Sequence, residues 1–333
     1  GLMKEKIKAI IYGLGVIGGN IAKAILEKEG VEITGVIDID PQKVGKDIGE
    51  VLELSEKTGV IVSNNSKEIF EKADAIAVVH TTSSYLPQVL PQIKECIEAG
   101  LNVVSTCEEL SFPYKRHPEL AQEIDSLAKK HQVTVVGTGI NPGYLMDTLP
   151  LTLTGPCLEV KSIKVTRMMN SAKRRIPFQK KVGTGLSPEE FKKYIDEKII
   201  TGHVGLLESI NMIADGLGWE LDEAEELPPE PVIANKEVNT PLCKVTPGKV
   251  LGLKSIAYGK MNGKEVIKLS FIAYAGVEEE YDEIIIEGKP NIHQKIIGGV
   301  HGDIGTIATT INTIPKAINA LPGLYTMKDL SLI

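Results

Sequence analysis

The glycines of Gly13-Leu14-Gly15-Val16-Ile17-Gly18 stand directly behind an apolar run, Ile7 to Tyr12, and Asp38 closes a second run, Glu32 to Ile37, twenty residues past the last glycine. Strand, glycine turn, helix (Asn20 to Glu29), strand and acid in that order constrain the segment to a parallel βαβ unit that holds a dinucleotide. Each part has a physical task. Gly13 permits the tight turn, Gly15 lets the backbone approach a pyrophosphate, and Gly18 lets helix and strand pack closely. Val16 and Ile17 of this loop join the glycines as cofactor-binding candidates, and the helix N-terminus that follows supplies free N–H groups and a positive dipole end for phosphate. Asp38 is placed to accept from a ribose 2′-OH, which favours NAD, while Lys43 and Lys46 tolerate a 2′-phosphate and make NADP use an expectation as well.

One such unit does not use up 333 residues, so a second domain with its own core is expected. Hydrophobic content of 42% and charged content of 24% are globular values, and no apolar run approaches the ~20 residues that span a bilayer. A net charge of −7 argues against nucleic acid as a partner, because phosphate backbones need a basic face. Cys96, Cys107, Cys157 and Cys243 are scattered without a C-x-x-C spacing, so reduced thiols and no metal site are expected. Gly1-Leu2-Met3-Lys4 has no apolar signal core, and Gly1-Leu2 reads as a cloning remnant; a cytoplasmic protein is the expectation.

Strand candidates at Lys8–Tyr12, Glu32–Ile37, Val60–Val62, Ala75–Val79, Asn102–Ser105 and Thr134–Gly137 alternate with helical stretches at Ser66–Lys72, Tyr85–Ala99 and Pro118–His131. This predicts a Rossmann-type doubly wound parallel sheet over residues 1–147. The pattern changes after Pro156. Lys161–Met169 reads as a strand, Pro188–Lys198 and Val204–Leu217 as helices, and Glu223–Pro231 as a proline-rich acidic connection. Long strands follow at Lys249–Lys260, Val266–Ala275 and Tyr281–Glu287, with Asn262-Gly263 marking a hairpin. Residues 148–300 are expected to form an α+β domain on a largely antiparallel sheet, binding substrate and pairing two copies into a homodimer. Residues 301–333 are expected to return to the first domain as a helix and tail.

Ligands of doubly wound sheets lie at the carboxyl ends of the strands, and three loops there carry candidate chemistry. His80, Thr81 and Thr82 line the cofactor or form a satisfied, capped turn. Ser105 leads through Thr106 and Cys107 to Glu108 and Glu109, on a strand end that faces the nicotinamide. A carboxylate there holds an ammonium and exchanges a proton; the alternative is a pair of surface acids at a helix start. Read as continuing the strand, the two acids point opposite ways, and Glu108 is the first candidate. The loop Thr138–Gly143 brings Asn141, Pro142 and Gly143 beside the nicotinamide carboxamide, with Tyr144 and Asp147 just beyond, or is a plain turn into the second domain. Arg167 and the run Lys173-Arg174-Arg175 are solvated charge or a bidentate partner for a substrate carboxylate. His203 caps an apolar helix or touches substrate, and Tyr144 and Asn170 complete the candidate substrate residues. No spacing of metal ligands is present.

Gly45-Lys46-Asp47-Ile48-Gly49-Glu50, with the glycine loop, resembles the dihydrodipicolinate reductase-like superfamily. Ser105 to Glu109, Gly137 to Asp147, Lys173-Arg174-Arg175, Gly202-His203-Val204-Gly205 and Pro322 to Leu330 resemble the 2,4-diaminopentanoate dehydrogenases and native amine dehydrogenases. The resemblance covers nearly the whole chain, is specific around Glu108 and Asn141, and is loose from about Glu220 to Val300. It implies NAD(P)-dependent oxidative deamination of a primary amine, reversible as reductive amination of a ketone with ammonia. It also implies that Glu108 binds the amine and assists proton transfer, and that Arg167, Arg174 or Arg175 meets a substrate carboxylate. None of the six histidines adjoins another, so the His-His-x-x-Lys motif of dihydrodipicolinate reductases is absent. Another imine- or carbonyl-reducing or amino acid dehydrogenase, and a non-catalytic NAD-sensing protein, remain as alternatives.

Overall fold

The computed structural model describes residues 5–331. The expectations for Gly1, Leu2, Met3 and Lys4 lie outside the described residues. The chain divides into two compact units, Gly1–Tyr144 with Gly302–Ile333, and Leu145–His301.

In the first unit, strands β1 (Ile7–Tyr12), β2 (Val31–Ile37), β3 (Val62–Ser63), β4 (Ala77–His80), β5 (Asn102–Ser105) and β6 (Thr134–Gly137) form one sheet with a short strand near the chain's end, Gly323–Tyr325. The spatial order runs from that last strand through β6, β5, β4, β1 and β2 to β3, and every pairing is parallel. Apolar doublets explain why the sheet is buried on both faces. Ile10, Val78, Val103 and Val135 join a core with Leu86, Val89, Ile93, Ile97, Ala121 and Ile124, while their neighbours Ile11, Val79, Val104 and Val136 join another with Ile21, Ile25, Ile311 and Ile314. The helices on the first face are α4 (Leu86–Glu98) and α5 (Pro118–Lys130), and on the second α1 (Val16–Glu27) and α10 (Gly302–Asn319); two shorter helices, α2 (Ile48–Val51) and α3 (Ser66–Lys72), lie between β2 and β4.

One carboxylate holds the loop after β2 together. Asp47 accepts from Thr58 N at 2.9 Å, Gly49 N and Gly59 N at 2.8 Å, and Thr58 Oγ1 at 3.0 Å. The Thr58 amide above all, with the other donors, pulls its carboxyl down to about 2. A folded pKa below the unfolded value of about 4 adds stability above pH 4 that is lost as the pH falls toward 2. Asp47→Asn is therefore expected to lower the melting temperature at pH 7 and to narrow the gap from the native chain at pH 3. A gap that stays constant across that range would remove this role.

The second unit begins with α6 (Thr148–Leu153) and β7 (Glu159–Asn170), followed by α7 (Ile176–Lys181), α8 (Pro188–Asp196) and α9 (Leu206–Leu217). Strands β8 (Glu223–Glu226), β9 (Glu230–Ile233), β10 (Val238–Asn239), β11 (Lys244–Val245), β12 (Val250–Met261), β13 (Lys264–Tyr274), β14 (Tyr281–Lys289) and β15 (Ile292–Ile297) complete it, leaving Gly323–Tyr325 as β16. The main sheet runs β15-β14-β7-β13-β12-β8, with β9 also on β12, and only β7 with β13 is parallel. The stretch Glu223–Pro231 is not a plain connection: β8 and β9 both pair antiparallel with β12. Its prolines fall beyond the β8 ladder or on an edge strand, where no partner needs their missing N–H. Helix α9 packs on β8, β12 and β13. Among the described residues no helix is long and apolar enough to cross a membrane.

Candidate active site

The glycine loop follows from what a side chain would meet. Gly13 has φ +101°, and a Cβ there would lie 2.7 Å from Thr81 O; a Cβ at Gly18 would lie 1.9 Å from Gly13 O. Gly15 has no neighbour within 4 Å of its Cβ direction and gives α1 no side-chain cap, so the first amides of Val16, Ile17 and Gly18 present their N–H groups to whatever approaches. That is the donor set a pyrophosphate requires. Asp38 ties this loop to β2, accepting from Leu14 N at 2.6 Å and Asp40 N at 2.8 Å. Lys43 Nζ donates to Leu14 O at 2.8 Å and stands 3.8 Å from Asp40, whereas Lys46 is exposed. Thr81 Oγ1 donates to Gly13 O at 2.9 Å and so joins the β4 loop to the glycine loop.

Glu108 and Glu109 open a 3-10 turn, Glu108–Ser111, rather than extending β5, so strand alternation does not separate them. Their surroundings do. Glu109 Oε1 accepts from Leu86 N at 2.8 Å and pairs with His117 Nε2 at 2.9 Å, while Oε2 stands 3.4 Å from Arg116 Nε. It fastens the start of α4 to the turn. Glu108 is half-buried with its Oε2 shielded from solvent, at the carboxyl edge of the sheet. On the neighbouring strand end, the Asn141 amide is buried, and neither its Oδ1 nor its Nδ2 has a protein partner. One acceptor and one donor in that state match a carboxamide, the group that nicotinamide presents. The loop reaches this shape through Gly139 and Gly143, whose φ values are +157° and +129°; a Cβ at Gly143 would fall 2.4 Å from Gly139 O. Pro142 is buried beside them, and Tyr144 is exposed.

His80 and Ser105, expected among the cofactor-lining residues, are fully buried and bonded to each other at 2.8 Å. Asn170 is occupied as well: its Oδ1 accepts from Ala172 N and Gly276 N, each at 3.1 Å, which holds the end of β7. Asp147 caps α6 through Thr148 N at 2.6 Å and accepts from Ser209 Oγ at 2.9 Å.

In the second unit, register places Ser255, Phe271, Arg167 and Asp282 in one row across β12, β13, β7 and β14. All four are buried. Arg167 Nη2 donates to Val300 O at 2.6 Å, and Nε lies 3.8 Å from Asp282 Oδ1, but Nη1 is buried with no protein partner. The His203 ring stacks on Phe271 at 4.6 Å, its Nε2 also buried and unpartnered. Burial first, then the charges of Arg167 and Lys181, push the His203 imidazole down to about 3, so it is neutral. Arg174 lies over the Phe178 ring at 4.3 Å. Sequence reasoning missed Asp282, although a signal exists: in Tyr281-Asp282-Glu283-Ile284-Ile285-Ile286 the acid shares the inward parity of Ile284 and Ile286.

Comparison with known proteins covers residues of both units. The model of the dihydrodipicolinate reductase N-terminus matches residues 7–138, and that of the 2,4-diaminopentanoate dehydrogenase C-terminal domain matches residues 144–333. The chain is 40% identical over 339 residues to 2,4-diaminopentanoate dehydrogenase of Acetoanaerobium sticklandii, covering 98% of this chain and 94% of that protein. It is 23% identical over 349 residues to an amine dehydrogenase of Streptomyces virginiae, with coverage of 98% and 96%. The solved structure of amine dehydrogenase from Mycobacterium smegmatis superimposes with a TM-score of 0.84 at 26% identity, covering 98% of this chain and 97% of that one. With a family model over more than half of its residues and a 40% identical relative along its length, the chain belongs to the 2,4-diaminopentanoate dehydrogenase family of NAD(P)-dependent oxidoreductases acting on CH–NH2 groups.

Proposed function

We propose that this chain oxidatively deaminates a primary amine whose molecule also carries a carboxylate, as 2,4-diaminopentanoate does, and that the reverse direction aminates the ketone with ammonia. The observation that carries this reading is the pairing of Glu108 and the unpartnered Asn141 amide on the ends of neighbouring strands β5 and β6. In the balanced reaction one alkylammonium, one NAD(P)+ and one water give one ketone, one ammonium ion, one NAD(P)H and one proton. Bound NAD(P)+ supplies the hydride acceptor. Val16, Ile17 and Gly18 hold its phosphates and Asn141 orients its carboxamide, with Thr81, Thr82, Pro142 and Gly143 shaping the loops around it. Glu108 takes a proton from the substrate ammonium and passes it to solvent as the one proton released overall, so that the amine carbon can release hydride and the regained carboxylate faces the cationic iminium that results. The same carboxylate accepts a proton from the water that adds to the iminium carbon and returns it to nitrogen; the C–N bond then breaks as the ketone forms, and the departing ammonia takes the hydroxyl proton and leaves as ammonium. Arg167 Nη1 and His203 Nε2, buried and unpartnered, are assigned to the substrate carboxylate, with Arg174 adding positive potential.

The test is NAD+ and NADP+ reduction followed by absorbance of the reduced nicotinamide, with 2,4-diaminopentanoate, ornithine and simple alkylamines. Turnover with the carboxylate-bearing diamines is expected. Turnover confined to alkylamines would remove the carboxylate assignment, and no turnover with any amine would remove the proposal.

Asp38 is assigned to the ribose hydroxyl and Lys43 to a 2′-phosphate, so NAD is preferred and NADP accepted. Asp38→Asn is expected to move the ratio of kcat/KM values about tenfold toward NADP+, on the scale of a charge-assisted hydrogen bond; an unchanged ratio would withdraw the assignment. The second sheet presents Ile256, Ile272, Met168 and Tyr281 on the face opposite the Arg167 row, which supports a homodimer through that sheet. Mass measured in solution decides it. A cytoplasmic location is part of the same proposal.

A further inference from the structure

The imidazole of His80 is locked into a chain of hydrogen bonds with one consistent direction. Cys107 N donates to Ser105 Oγ at 3.1 Å, and Ser105 Oγ lies 2.8 Å from His80 Nδ1. Gln92 Oε1, 2.7 Å from Nε2, can only accept, so the ring proton sits on Nε2 and the Ser105 hydroxyl, whose oxygen accepts from the amide, donates to Nδ1. Thr82 Oγ1 closes the far side, 3.0 Å from Nε2 and 2.6 Å from Gln92 Oε1. His80 and Ser105 are both fully buried. Neither offers a surface to a ligand, and burial holds the imidazole down to about 4, so it stays neutral. What the chain reaches is the peptide at Cys107, the residue that caps the 3-10 turn beginning at Glu108.

We propose that His80 and Ser105 are positioning residues: the neutral imidazole orients the Ser105 hydroxyl, the hydroxyl fixes the Cys107 amide, and the amide sets the direction in which Glu108 leaves the sheet. Thr82 ties the same ring to the loop after β4, whose Thr81 holds Gly13 O, so the phosphate loop and the Glu108 turn share one rigid support. This rests on the assignment of Glu108 as the proton-transferring residue. A fully buried cluster of imidazole, hydroxyl and amide is costly unless every member is satisfied, and here the satisfied network spans the ends of two neighbouring strands. A misplacement of about 1 Å in a reacting group costs up to roughly 10²-fold in rate, which is the size of effect such a support protects.

The experiment is a double-mutant cycle on 2,4-diaminopentanoate oxidation by the full chain, with Ser105→Ala and Glu108→Gln. Ser105→Ala is expected to lower kcat about 10- to 100-fold, with the KM for NAD+ unchanged. In the Glu108→Gln background it is expected to add less than about twofold, because a residue that acts only through Glu108 has nothing left to position. An unchanged kcat in Ser105→Ala, or an equal loss in both backgrounds, overturns the proposal while the Glu108 assignment stands. Full activity in Glu108→Gln overturns that assignment and this proposal with it. If Ser105→Ala does not fold, His80 carries the test. His80→Asn keeps an acceptor at the Nδ1 position and is expected to retain several-fold more kcat than His80→Leu; equal rates from folded variants overturn the proposal.

Discussion

Glu108→Gln is expected to lower kcat for amine oxidation by about 10²- to 10⁴-fold, the range of a lost general acid–base group, while the KM for NAD+ stays within about threefold of the native value. The two halves of this expectation come from different parts of the first unit. Cofactor affinity is assigned to the glycine loop, Asp38 and Asn141, none of which depends on the charge of Glu108. The chemical step needs a carboxylate beside a nitrogen that begins as an ammonium, becomes an iminium and leaves as ammonia, and an amide cannot take protons at any of those stages. Steady-state kinetics in both directions check it. Glu109→Gln is the comparison: its side chain is taken up by Leu86 N, His117 and Arg116, so its loss should cost about 2 kcal/mol of stability with kcat near the native value. A Glu109 variant that folds normally but loses turnover, beside an active Glu108 variant, would exchange the two roles.

The difference between these two acids also shows what the amino-acid pattern conveys and what it does not. Doublets such as Ile10-Ile11, Val78-Val79 and Val103-Val104 announce strands buried on both faces, and the glycine spacing up to Asp38 announces the phosphate loop. Both signals are local. The direction of Glu108 is not, because it depends on whether the chain continues β5 or turns, and the turn is set by Ser105 Oγ on Cys107 N and by His80 from another strand. Asn170 illustrates the same limit, since its acceptor is used by Ala172 N and by Gly276 N from far along the chain. The edge strands β8 and β9 escaped notice because Glu-Ala-Glu-Glu and Glu-Pro-Val-Ile carry little alternation; the ladder with β12 supplies what their own side chains do not.

Arg167→Met separates folding from recognition in the second unit. Truncation leaves Asp282, 4% exposed, without its cation, and breaking a buried pair from one side costs about 3–5 kcal/mol. Urea unfolding measures that loss. Replacing both partners, Arg167→Met with Asp282→Leu, exchanges a buried pair for apolar volume and is expected to recover most of the stability. Recovery of binding is not expected, because the guanidinium arm assigned to the substrate carboxylate, Nη1, is a different arm from those turned toward Val300 and Asp282. Both the single and the double variant should therefore raise the KM for 2,4-diaminopentanoate by about 10- to 100-fold while leaving a simple alkylamine little changed. If the double variant regains stability and substrate affinity together, Arg167 serves only the fold and the carboxylate must be met elsewhere. If stability returns and the substrate-selective KM defect persists, the buried row serves two ends: Asp282 neutralises one side of the guanidinium, and the other side is kept for an anion that arrives with the substrate.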